Sequence, residues 1–126
     1  MKNYEEIAEF NVMLGNQQGD KVKLTEAQVA ERVTFISEEL EELKEASTLT
    51  DQVDALADIL VFAIGGLHIA GLTPDEMQKV LTAVYESNIQ KSRGVNAKRD
   101  VLTDAVKPEG WIGPESKIRE ILNDVF

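Results

Sequence analysis

The sequence predicts an all-α protein, an oligomeric bundle of four to five helices, and three observations carry that prediction. Apolar residues recur at three- and four-residue spacings along most of the chain, and capping residues mark where helices start and stop. No stretch alternates apolar and polar residues as a half-buried strand would. The chain has 126 residues, 43% hydrophobic and 29% charged, which suits one folded core, so residues 1–126 are read as a single domain.

A first helix is expected over about residues 3–14, with Tyr4, Ile7, Phe10, Val12 and Leu14 as its apolar contacts. "GNQQGDKVKL" reads as a loop broken by Gly15 and Gly19. Thr25 and Gln28 form a capping-box pattern that opens a helix over about residues 26–47, with Val29, Val33, Ile36, Leu40 and Leu43 as its core stripe. "STLT" breaks that helix, and Thr50 is the expected cap of the next, which runs to about Ala70 and stops at Gly71. Thr73, Pro74 and Glu76 announce a fourth helix through "DEMQKVLTAVYESNIQK", with Met77, Val80, Leu81, Val84 and Tyr85 inward. "SRGVNAKRD" is a polar, mobile connection, "KPEGWIGP" a rigid turn and "PESKIREILNDVF" a short final helix.

Composition excludes several classes of function. A formal charge of −10 disfavours broad nucleic-acid binding, and the absence of cysteine removes disulfides and thiolate metal sites. "MKNYEEIAEF" is too acidic for a signal peptide, and no uninterrupted apolar run reaches the ~18 residues of a membrane span, so the expectation is a cytoplasmic protein without membrane contact. Charge is also unevenly placed. Residues 1–60 hold 14 acids and 5 bases, whereas residues 88–107 hold 2 acids and 5 bases, Lys91, Arg93, Lys98, Arg99 and Lys107. Such a division suits a site for cations and polyanions together.

The acids concentrate in "ISEELEELKEASTLTDQVDALADILVF", where eight carboxylates stand against one lysine, Lys44. Glu38, Glu39 and Glu42 share about one helical turn, and Glu39 borders the apolar stripe. Asp51, Asp54 and Asp58 form a second acidic stripe, and Asp58 is flanked by Leu56, Ile59 and Leu60. Like charges at these spacings repel, and carboxylates beside a core lose hydration. A divalent cation compensates both costs, and all-oxygen ligands favour Mg²⁺ or Mn²⁺. Glu41, Glu42 and Glu45 fit the same Glu-Glu-x-x-Glu spacing, but the frame that uses Glu39 adjoins the core and is preferred.

With these motifs the chain resembles the all-α nucleoside triphosphate pyrophosphohydrolase superfamily, in its MazG-like and phosphoribosyl-ATP pyrophosphohydrolase-like branch. Glu38, Glu39 and Glu42 match the family's Glu-Glu-x-x-Glu, and Asp58 matches the aspartate of its Glu-x-x-Asp. The chain departs from the pattern at Ala55, where the family usually has glutamate; Asp54 lies on the same helical face as Asp58 and stands in as a substitute ligand. "ESNIQKS" is similar to the family's Ser-Asn-x-x-Lys segment, and "FNVMLG", Arg32 and the "KPEGWIGPESKIREIL" tail fit the branch.

The resemblance implies Mg²⁺-dependent hydrolysis of a nucleoside triphosphate between its α and β phosphates, giving monophosphate and pyrophosphate. It implies Glu39, Glu42, Asp54 and Asp58 as metal ligands and Glu38 as the residue that orients or deprotonates water. Asn88 and Lys91 then bind substrate, with Lys107 taken alongside them. It also implies a homodimer or homotetramer, in keeping with "ILVFAIGGLHIAGL", which is apolar nearly all round. Two rival readings stay open: a phosphoribosyl-ATP pyrophosphohydrolase proper, and a non-catalytic acidic module that binds a partner. His68, the lone histidine, reads as a helix-face residue, Gly65 and Gly66 as close-packing positions, and Trp111 as the packing of a turn.

Overall fold

The computed structural model describes residues 2–94 and 104–124. Five helices follow one another: α1 (Lys2–Met13), α2 (Glu26–Glu45), α3 (Leu49–Ala70), α4 (Pro74–Asn88) and α5 (Glu115–Leu122). Between α4 and α5 the strands β1 (Ser92–Gly94) and β2 (Asp104–Val106) pair antiparallel, with Arg93 opposite Ala105. This short ribbon was not expected, because three residues are too few to display an alternating pattern. Part of the polar "SRGVNAKRD" connection, including Lys98 and Arg99, lies outside the described residues. The chain divides into two compact units, Met1–Pro74 and Asp75–Phe126.

In the first unit α3 packs against both α2 and α1. The expected capping box opens α2: Gln28 N–H donates to Thr25 Oγ1 at 3.1 Å, and Thr25 N–H donates to Gln28 Oε1 at 2.9 Å. α3 starts earlier than the sequence suggested. Its cap is Thr48 rather than Thr50, since Thr48 Oγ1 accepts from Asp51 N–H at 3.1 Å. Two threonines two residues apart both offer a capping hydroxyl, and spacing alone does not rank them. α3 ends as expected at Gly71, whose φ of 102° lies in the left-handed region. A Cβ there would also strike the backbone nitrogen of Lys21, which crosses the end of the helix.

The inner face of α2 differs from the expected stripe. Val29, Val33 and Leu40 are exposed, whereas Arg32, Phe35, Ile36, Glu39 and Leu43 are half-buried. On α1, Phe10 and Val12 are exposed, as is Leu14 just past its end, and the buried residues are Tyr4 and Asn11. On α4, Met77 and Ala83 are buried while Leu81 and Tyr85 are exposed. Hydrophobic period alone cannot assign the inner face when a helix carries two apolar stripes.

A polar node ties α1 to α3. Asn11 Nδ2 donates to Gly65 O at 3.1 Å and lies 2.9 Å from His68 Nδ1. Tyr4 packs edge-on against the His68 ring, with centroids 5.9 Å apart, and its hydroxyl donates to Leu72 O. His68 is therefore a buried, hydrogen-bonded core residue rather than a residue of an outer helix face. Burial pushes its pKa below the ordinary 6.5. The unfolded chain takes up this proton more readily than the folded one, so the neutral ring's stability is intact above pH 6.5 and drains away as pH falls below it. Melting temperatures of the parent should drop faster between pH 6.5 and 5 than those of His68→Gln; parallel slopes would show that the ring titrates freely.

Among the described residues, α3 alone is long and apolar enough to cross a membrane, with a mean hydropathy of 1.8 over its most apolar window. Its first half carries Asp51, Asp54 and Asp58, and its second half packs through buried Ile64, Gly65 and His68.

Candidate metal and active site

α2 and α3 bring three carboxylates together. Oxygens of Glu39, Glu42 and Asp58 all lie within 4.8 Å of one another. Glu39 and Glu42 are one turn apart on α2, and Asp58 faces them from α3 because the two helices pack along their length. Glu39 and Asp58 are half-buried and Glu42 is exposed. Glu39 Oε2 is enclosed by protein and has no hydrogen-bond partner. Burial, a hydrogen bond shared with Glu42, and the charges of Glu42, Asp58 and Asp54 together raise the Glu39 pKa to about 7.

The donor set fits a hard divalent cation: it is all oxygen, it concentrates charge, and it leaves one enclosed acceptor unsatisfied. Such a cation would be expected to stabilise the fold by relieving repulsion. At a hundredfold excess over its dissociation constant the gain is about 2.7 kcal/mol, on the order of 10 °C in melting temperature for a domain of this size. Glu42→Gln should cut that rise by more than half. An unchanged melting curve across millimolar Mg²⁺ and Mn²⁺ would remove the site.

The remaining candidates fall differently. Asp54 is exposed and outside the three-carboxylate group, though near enough to raise the proton affinity of Glu39. With Glu42, Glu45 and Asp51 it lines a shallow acidic depression. Ala55 is only 1% exposed, so the position where the family has glutamate faces inward here and is filled by a methyl group. Glu38, Glu41 and Glu45 are exposed and outside the group. Asn88, Lys91 and Lys107 belong to the second unit, where Lys91 Nζ donates to Asn88 Oδ1 at 3.0 Å.

Sequence reasoning missed a neighbouring pocket. About one turn beyond the carboxylates on both helices, a cavity of about 420 Å³ is lined by Phe10, Asn11, Asn16, Arg32, Phe35 and Phe62, among others. Phe35 precedes Glu39 by one turn and Phe62 follows Asp58 by one turn, so pocket and acids occupy neighbouring turns of α2 and α3. The Phe35 and Phe62 rings lie 5.2 Å apart. Arg32 Nη1 donates to Phe62 O at 3.2 Å, and its guanidinium lies 5.5 Å from the Phe35 ring centre. Gly65 makes room for this arginine, since a Cβ there would stand 3.0 Å from Nη1. The glycine pair thus admits side chains of α1 and α2 rather than a helix from outside. The aromatic residues lay in plain view in the sequence, but their convergence depends on the pairing of α2 with α3.

Paired helices that present a carboxylate cluster fit an all-α pyrophosphohydrolase of the MazG-like superfamily, and the family match makes that assignment. The chain belongs to the phosphoribosyl-ATP pyrophosphohydrolase family, whose model matches residues 5–85. No curated protein matches it significantly. Members of the family are hydrolases acting on phosphoric anhydrides and are typically dependent on divalent metals, so the chain is a pyrophosphohydrolase by family.

Proposed function

We propose that the protein is a Mg²⁺-dependent nucleoside triphosphate pyrophosphohydrolase that cleaves between the α and β phosphates. The observation that carries this reading is the convergence of Glu39, Glu42 and Asp58 around an unsatisfied, enclosed oxygen. These three residues would hold the cation, with Asp54 as an outer contributor. A bound divalent ion supplies neutralisation of phosphate charge and acidifies water. Glu38, one turn before Glu42, orients or deprotonates the attacking water. Lys91 and Lys107 meet phosphate oxygens as point charges, and the Asn88 amide hydrogen-bonds sugar or phosphate. The aromatic pocket next to the acids suits the nucleoside, with Phe35 and Phe62 as apolar walls and Arg32 and Asn16 as polar contacts.

The active form is a homo-oligomer, a dimer or a tetramer, and the single domain of residues 1–126 is its repeating unit. Exposed Leu49, Val53, Leu56 and Leu60 form an unbroken stripe along α3, which supports a partner of the same kind. The same stripe accounts for the low burial of α3 without a membrane, consistent with a cytoplasmic enzyme.

A screen of nucleoside and deoxynucleoside triphosphates with Mg²⁺ or Mn²⁺, reading released pyrophosphate, tests the proposal. Phosphoribosyl-ATP belongs in that screen, because the family description favours it as a second reading. Turnover of phosphoribosyl-ATP alone would select that reading; no turnover of any nucleotide would overturn both.

A further inference from the structure

Trp111 is the chain's one tryptophan. Its backbone N–H donates to Pro108 O at 3.1 Å, closing a turn, and its indole Nε1–H donates to Ser87 O at 2.7 Å near the end of α4. The ring is therefore pinned from two sides. Two ammonium groups gather on it: Lys91 Nζ lies 4.8 Å and Lys107 Nζ 4.9 Å from the ring centre. Fifteen residues lie between these lysines in sequence, and the antiparallel register that sets Ser92 opposite Val106 brings them side by side at the open end of the ribbon, where the indole gives both ammoniums a common seat. Among the described residues neither forms an ion pair with a carboxylate, and Lys91 spends its hydrogen bond on the neutral Asn88 amide.

That arrangement is unusual for a chain with 23 acids and 13 basic residues, where carboxylates to neutralise a lysine are plentiful. Two like charges held at one ring repel, and attraction to its π cloud offsets that repulsion without consuming either charge. Both ammoniums keep donors free for an incoming anion. An anion with oxygens on two linked phosphates can meet both at once, which a single carboxylate cannot do as well.

We propose that Trp111 is a positioning residue, holding Lys91 and Lys107 as a two-pronged clamp for condensed phosphate, the pyrophosphate end of the substrate. The assignment of that phosphate to a substrate rests on the pyrophosphohydrolase reading above; the clamp itself rests on the ring and its two lysines.

Calorimetric titration with inorganic pyrophosphate in metal-free buffer tests it, using the full chain and the variants Lys91→Met, Lys107→Met, Trp111→Leu and Trp111→Phe. Each lysine variant should bind about tenfold more weakly, the scale of one lost charge-assisted contact. Trp111→Leu should bind about fivefold more weakly, whereas Trp111→Phe, which keeps a π face but loses the indole N–H, should stay within about twofold. With nucleotide substrate, Trp111→Leu should raise KM more than it lowers kcat. A tryptophan that only packs the turn through its N–H would make Phe and Leu equally harmful, and that result overturns the clamp. So does parental affinity in Trp111→Leu or in Lys107→Met; the latter decides the matter if Trp111→Leu fails to fold, because Lys107 is exposed. Pyrophosphate binding that follows this pattern in a chain without turnover would uphold the clamp and remove the proposed activity. Turnover with Trp111→Leu unaffected would do the reverse.

Discussion

Replacing Glu39 with glutamine should abolish turnover while leaving helical content intact. Glutamine keeps the length and the helix propensity of glutamate, so α2 has no reason to unwind. What is lost is a charged oxygen at the centre of the three-carboxylate group. Cation and phosphate charge depend on that group for several kcal/mol of stabilisation, so the expected loss of rate is on the order of a thousandfold. A second readout separates this role from a structural one. Glu39 carries a proton more firmly in the fold than in the unfolded chain, with its pKa raised from 4.5 to about 7. Its contribution to metal-free stability is therefore full below pH 4.5 and is lost as pH rises through about 7. Glutamine mimics the protonated form, so Glu39→Gln should melt higher than the parent above pH 7 without metal, yet gain less from Mg²⁺. Parental activity in the variant would sink the assignment.

The second large effect concerns assembly. Light scattering at micromolar concentration should give a multiple of 14.0 kDa. Leu56 and Leu60 are 53% and 60% exposed in the single chain. Burying a leucine is worth about 1.5–3 kcal/mol, so charging both with Leu56→Glu and Leu60→Glu should weaken association by a hundredfold or more. A drop to 14.0 kDa with loss of activity is the expected result. A parent that is already a fully active monomer would rule the oligomer out.

Much of the fold could be read from local signals. Thr25 with Gln28, Pro74 and Gly71 each marked a helix boundary, because capping is decided by a few neighbouring atoms. What escaped the sequence was decided at longer range. Val29, Val33 and Leu40 form as good a stripe as any, but the face that packs is the one that carries Arg32, Phe35 and Glu39. The same limit applies to the site. Glu39, Glu42 and Asp58 stood out through an unfavourable charge pattern that is visible locally, and the structure gathers them. The Phe35 and Phe62 pocket carried no such local penalty, and two aromatic residues on different helices look like ordinary core until the helices are paired. Trp111 was read as the packing of a turn, which it does through Pro108; Lys107 reaches the ring from that same turn, and Lys91 is brought to it by the pairing of β1 with β2.

The amide of Asn11 fixes more than a contact between helices. Gly65 O can only accept, so the group facing it must be the NH₂ of Asn11, and the same nitrogen lies against His68 Nδ1. His68 Nδ1 must then present its lone pair, which leaves the ring proton on Nε2. Because this is the chain's one histidine, its imidazole nitrogens give a single, unambiguous magnetic-resonance reporter of how α1 is seated. Loss of the Nε2–H tautomer signature would register detachment of the first helix before any change in overall helicity, without introducing a label.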